Sequence, residues 1–406
     1  MSTPDEPTDD RSADRPAVNL TDREQTILRF VTERFIETAG PIGSRSLARD
    51  CPEIDLSPAS IRNTMSDLEA RGYLGQPHTS AGRMPTERGY RAFVDELMER
   101  PELAPAEREA ARAVLSQRMS DIEDLLRESS RLLGQLTNLL GVVLSPRLST
   151  SVLERLELVP LGADRLMFVL SVRGGLVKTL VLEGRAGREH AADLRRHDLD
   201  RIVSILNERL GGLTLAEIRR TFRERTGDLA GDRTSDPAGV LRLMRDEAAL
   251  LFSEPLEGRL RHGGAQGLMT QPEFQEADDL RALIEMMEDE GRVVRLFEEA
   301  AAPVEGSAPP EGAFPAEDAG RAMEASRERP EADSTMRSSF RALVSIGSEH
   351  REAGAARAER YSIVTSRFLR GDAVGAVGVL GPTRMNYGRV MALVENAARL
   401  MSRPNA

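Results

Sequence analysis

The sequence predicts an α+β protein: an N-terminal winged helix-turn-helix, then an α+β domain interrupted by a helical insertion. Three observations predict it. Residues 20–100 read as three short helices, a two-stranded hairpin and a closing helix. Strand-like runs follow within 153–183 and return only after 340. Between them lies a long helical block, as expected for one sheet domain carrying an insertion. At 406 residues the chain has room for two or three domains with a sizeable core.

Residues 1–19 hold five acids, two arginines and three prolines, and are expected to be disordered. Ordered sequence starts at "LTDREQTILRFVTERFIETAG", where Thr21 and Glu24 form a capping-box pattern. Ile27, Leu28, Val31 and Phe35 make its buried stripe, and Gly40 and Pro41 stop the helix. A short second helix fits "SRSLARD", with Ser44 as its cap. The third helix lies in "SPASIRNTMSDLEARGYL", capped by Ser57, begun by Pro58 and ended before Gly72. "YLGQPHTSAGRMPT" gives two short strands around a Pro/Gly/Ser loop, and "TERGYRAFVDELMER" a fourth helix.

A longer helical region is expected from about 105 to 143. Ile122, Leu125, Ser129, Leu132, Leu136, Leu139 and Val143 recur there 3 and 4 apart. "LERLELVPL" and "RLMFVLSVRGGLVKTLVLEG" suggest three strands, the last two joined by a tight Arg-Gly-Gly turn. Helices are expected near 197–226, 236–261 and 278–300, strands at "FRALVSIGS", "YSIVTSRFL" and "AVGAVGVLGP", and a final helix over 387–401. The segment 302–339 is rich in Pro, Ala and Glu, and reads as a disordered surface insertion.

Composition and motifs exclude several classes. Hydrophobic residues make up 40% and charged ones 30%, with no apolar run long enough to cross a bilayer. The acidic start is unlike a signal peptide, and a single cysteine, Cys51, excludes an internal disulfide. Cytoplasmic location is the expectation. Of 55 basic residues only Lys178 is lysine, which coding bias explains. Histidines 78, 190, 197, 262 and 350 sit far apart, so neither metal nor cofactor is expected. There is no P-loop and no G-x-S-x-G elbow, and glycines 375, 378 and 381 lack the spacing of a dinucleotide fingerprint. An enzyme is not expected.

The third helix points to a function. Ile61, Met65 and Leu68 form one face, while Ala59, Asn63 and Ser66, flanked by Ser60 and Arg62, form the other. In a winged helix this helix enters the DNA major groove, where small side chains permit close approach and Asn and Arg read base edges. The candidate DNA contacts are Ser44 and Arg45 on the second helix, and Ser57, Ala59, Ser60, Arg62, Asn63 and Ser66 on the third. The wing adds His78, Thr79, Ser80 and Arg83. Residues 20–100 carry eleven arginines against thirteen acids, but 71–91 carry four against one, so positive charge is expected on the wing side. A winged helix used only for protein contacts is the alternative reading.

"SPASIRNTMSDLEARGYLGQPHTSAGRMPTERGYRAFVD" closely resembles the N-terminal domain of the HrcA family of heat-inducible transcription repressors. "LNERLGGLTLAEIR" (206–219), "LMTQPEF" (268–274), "SIGSE" (345–349) and "VGVLGPTRMNYGRVMALVENAA" (377–398) resemble its later blocks, in order. Met269-Thr270 departs from the family's usual Leu-Asn, and 302–339 looks added. The resemblance implies a GAF-like α+β domain interrupted by a helical dimerisation insert. The expected division is 20–100 winged helix, 105–211 GAF-like first part with a linker helix, 212–265 insert, and 266–406 GAF-like second part. It further implies a homodimer on an inverted-repeat operator (the CIRCE element) of chaperonin and DnaK-type operons, and the chaperonin GroEL as partner. A ligand-sensing winged-helix regulator is the alternative. Arg384 and the glycines of "GPTRMNYG" admit two readings, a phosphate cradle or a structural turn.

Overall fold

Local sequence explains how each N-terminal helix begins and ends. In the computed structural model Thr21 caps α1 (Asp22–Thr38): its hydroxyl accepts from the Glu24 amide while the Glu24 carboxylate accepts from the Thr21 amide. Such a reciprocal cap satisfies two otherwise orphaned donors. Ile27, Leu28, Phe30, Val31 and Phe35 face inward. The structure describes residues 19–77, 82–116, 122–161, 165–183, 196–229, 240–253, 259–301, 340–349, 360–371 and 373–402. Residues 1–18 of the acidic start and the insertion 302–339 lie outside these.

After α1 come α2 (Ser44–Asp50) and α3 (Pro58–Ala70), both packed on one another and α3 also on α1. Strands β1 (Leu74–Gly75) and β2 (Met84–Pro85) pair antiparallel, and Ile42 adds a bridge to Arg83. A Cβ on Gly82 would meet the Ile42 carbonyl at 2.4 Å, so this return of the chain needs glycine. Helix α4 (Glu87–Ala92) runs into a π-turn over Phe93–Leu97. Ser44 does not cap α2: Gly43 occupies that position with no side-chain bond, and Ser44 is the first helical residue.

The expected continuous helix at 105–143 is two helices and a strand: α5 (Pro105–Ser116), α6 (Ile122–Thr137) and β3 (Leu140–Leu144). Asn138, left-handed at φ 54°, ends α6. Leu139 and Val143 therefore leave the helical seam. β3 is "LGVVL", buried at every position, as a central strand covered on both faces should be.

β3 sits in a five-stranded antiparallel sheet with β7 (Leu260–Gly263), β8 (Leu343–Ile346), β9 (Tyr361–Arg370) and β10 (Ala373–Pro382). The order is β7-β3-β10-β9-β8, with β9 and β10 a hairpin of ten paired positions from Ala373↔Arg370 to Pro382↔Tyr361. Helices α6 and α14 (Tyr387–Met401) pack together on this sheet. The expected helix at 278–300 is α12 (Ala277–Glu288) and α13 (Glu290–Ala301), broken at Asp289, and α13 covers the sheet with Phe297 against Gly378. Between β7 and α12 lies the short α11 (Ala265–Met269).

The α+β class and the interrupted sheet domain are as expected, but the insert is larger than 212–265 and is not purely helical. β4 (Leu153–Pro160), β5 (Arg165–Val172) and β6 (Val177–Glu183) do not join β3; they form their own antiparallel sheet. Helices α7 (Arg196–Leu210), α8 (Leu215–Arg225), α9 (Val240–Asp246) and α10 (Ala248–Leu251) cover it. Leu156, Phe168, Leu206, Ile218, Phe222 and Phe252 share a core separate from that of the rest of the chain. The chain leaves the main sheet after β3 and returns at β7, where the Ser145 amide donates to the Arg259 carbonyl at 2.8 Å. The inserted unit thus spans about 148–253, and 260–263 is a strand of the main sheet. Lys178, the chain's one lysine, donates to the carbonyls of Leu250, Leu251 and Ser253 and so closes the end of α10.

Candidate nucleic-acid interface

The interface is built from α3 outward. Ser57 caps the helix, its hydroxyl accepting from the Ser60 amide at 3.1 Å, and Pro58 occupies the first turn. Ile61, Thr64, Met65 and Leu68 are buried against α1 and α2, which fixes the rotation of the helix. That rotation leaves Ala59, Arg62, Asn63 and Ser66 exposed along one side. The Asn63 side chain makes no hydrogen bond to the described residues. The first turn carries no acid, so the positive helix terminus is uncompensated.

Not every candidate is placed as expected. The Ser57 hydroxyl also meets the Ser60 hydroxyl at 3.1 Å, so both are committed to the cap. The Ser60 carbonyl accepts from Arg23 at 2.8 Å, a cation on α1 that the reading of α3 alone overlooked. Ser44 is half-buried and Arg45 exposed at the start of α2. His78, Thr79 and Ser80 lie outside the described residues.

Arg83 differs most. Its backbone pairs with Ile42, and its guanidinium meets Glu69 of α3 at 2.7 Å, with both side chains largely screened. It is thus a strut from the wing base to α3 rather than a free cation on a loop. The local excess of charge over 71–91 is likewise mostly neutralised. Arg71 pairs with Glu24 at 2.9 Å, and Arg91 with Asp95 and Glu349. The Thr21 amide, aided by Arg71, holds the Glu24 carboxyl below the ordinary range. Arg88 stacks over the Tyr73 ring at 4.6 Å. Arg45, Arg62 and Arg88 make no ion pair among the described residues, and they supply the positive charge beside α3. Arg88 was not singled out because only the fold places it against Arg71 at the end of α3.

The winged helix is seated on the five-stranded domain. Arg384 donates to Glu273, Gln271 and the Ile36 carbonyl, so every nitrogen of its guanidinium has a protein partner and the phosphate-cradle reading of "GPTRMNYG" gives way to the structural one. Tyr90 and Tyr387 meet with ring centroids 6.0 Å apart. No cluster of metal-ligating side chains and no helix long and apolar enough to cross a membrane occurs among the described residues.

Comparison with known proteins adds a family. Residues 123–391 match the family described as "HrcA protein C terminal domain". A heat-inducible transcription repressor HrcA of Chlorobium phaeobacteroides (strain BS1) is 36% identical over 390 residues, covering 95% of this chain and 98% of that protein. Its counterpart from Chlorobium limicola is 35% identical over 387 residues, covering 94% and 97%. A crystal structure described only as a hypothetical protein superposes with a TM-score of 0.52 at 22% identity, covering 94% of this chain and 98% of that one. The last likeness is one of fold.

Proposed function

Since the chain belongs to the HrcA family of heat-inducible transcription repressors, we propose that it acts as a homodimer on an inverted-repeat operator of the CIRCE type. Repression is then occupancy: a protein seated across the operator excludes transcription. The family is one of DNA-binding regulators, not enzymes. The observation that carries the reading is the exposed Ala59–Arg62–Asn63–Ser66 side of α3, held outward by the buried Ile61–Met65–Leu68 stripe. Small residues let the helix backbone approach base edges, Asn63 can read adenine bidentately, and Arg62 can read guanine. The regulated genes are chaperonin and DnaK-type operons. GroEL is the partner that keeps the repressor active, until unfolded proteins occupy it on heat stress.

Selection from random duplexes on the immobilised full-length chain tests this reading. Sequencing the retained DNA should give two inverted half-sites, and adding purified GroEL should raise the fraction of chain that binds them. Recovery of an asymmetric site, or of no preferred sequence, would refute the proposal.

A further inference from the structure

The last turn of α1 is short of a positive charge. No basic residue lies in it, and helix ends leave carbonyls without intrahelical partners. The missing cation comes from the far end of the chain. Arg384, in the turn between β10 and α14, donates from Nη1 to the Ile36 carbonyl at 2.8 Å. Its other nitrogens are clamped by Glu273 at 2.5 and 3.2 Å and by Gln271 at 3.2 Å. The side chain is only 11% exposed, so solvent does not compete for these bonds. A second tie lies on α4, where Arg91 donates to the Val344 carbonyl at 2.9 Å and to Glu349 at 2.7 Å. Two hooks at separate points on one small domain remove its rotation, and both leave Asn63 and its neighbours exposed.

We propose that Arg384 is a positioning residue: it locks the winged helix to the five-stranded domain and thereby sets the half-site spacing that the dimer reads. The inference rests on the dimeric operator binding proposed above. A two-headed reader gains from its second head only if both are held at the right separation. A planar guanidinium suits the task, because one side chain must serve a carboxylate, an amide and a backbone carbonyl in a fixed fork. Lysine would keep the charge and lose the fork.

The test uses full-length wild type, Arg384→Ala and Arg384→Lys on the selected duplex, on the same duplex with its spacer changed by one to three base pairs, and on a single half-site. Wild type should discriminate steeply between spacers. Arg384→Ala should bind the native spacing about tenfold more weakly, tolerate altered spacers nearly equally, and bind the half-site as wild type does. Arg384→Lys should fall between. Hydrogen exchange of residues 36–40 and 343–349 is measured on the same proteins and should rise in Arg384→Ala. Wild-type spacer discrimination in Arg384→Ala would overturn the proposal. So would an equal loss on the half-site, which would mark Arg384 as a mere stabiliser of the winged helix. A wild-type chain that selects no duplex would remove the functional reading instead, and unchanged exchange would then refute the coupling on its own.

Discussion

Positions 61 and 63 are two residues apart on α3, yet binding and folding should separate between them. Ile61 is fully buried, so Ile61→Ala leaves a cavity between α3 and α1 and should cost about 2–5 kcal/mol of stability. Asn63 is exposed and its side chain makes no hydrogen bond to the described residues, so Asn63→Ala should leave stability within about 0.5 kcal/mol. If Asn63 reads a base edge, its loss should cost roughly 1–3 kcal/mol of operator binding, or roughly 5- to 150-fold in affinity. The loss should also relax preference at one symmetric pair of base positions, while non-specific binding and its salt dependence stay as in wild type. Salt-titrated binding to operator and scrambled duplexes reads the second effect, and urea unfolding followed by circular dichroism reads the first. Wild-type affinity and specificity in folded Asn63→Ala would sink the assignment of this residue to base readout. Stability loss in Asn63→Ala would show instead that α3 is rotated differently.

Three further outcomes follow from the packing. Replacing residues 146–258 by a two-residue Asn-Gly turn between Ser145 and Arg259 keeps the β3–β7 register and joins the two as a hairpin, and sedimentation should then find a folded monomer; a surviving dimer would move the subunit contact out of the insert. Burial pushes the Glu298 carboxyl up, but Arg147 and Arg259 at 2.8 and 2.7 Å outweigh it and hold the group below its ordinary value. That stabilisation is complete above the unfolded-state value and fades as pH falls through the folded one, so wild type should exceed Glu298→Gln most near neutrality and lose that advantage progressively on acidification below the ordinary glutamate range; a pH-independent gap in urea midpoints would contradict this. Lys178→Ala strands three carbonyls at the end of α10 and should destabilise the inserted unit by about 1–3 kcal/mol, seen as faster hydrogen exchange over 248–253 with the main sheet unchanged.

Local signals in the sequence determined each N-terminal helix, because caps, stripes and stops act over a few residues: Thr21 with Glu24, Ser57 with Pro58, Ile61 with Met65 and Leu68. The hairpin at Arg173–Gly175 and the last helix at 387–401 were legible for the same reason, the former through glycines at positive φ. The candidate face of α3 was legible too, since a buried stripe dictates which side remains outside. What the tertiary structure alone decided is which strands pair and where the cations go. An apolar run such as "LGVVL" suits a helix or a buried strand equally, and only the neighbours β7 and β10 make it the second strand of the main sheet. The strands at 153–183 carry no mark of the sheet they join; they pair among themselves because α7 to α10 offer them a separate core. Charge behaves alike. Arg83 reads as a free wing cation until folding brings Glu69 to it, and Arg384 reads as a turn residue until α1 presents its unpaired carbonyl from 348 residues away. Pairing and ion partners depend on distances across the fold, which no window of neighbouring residues contains.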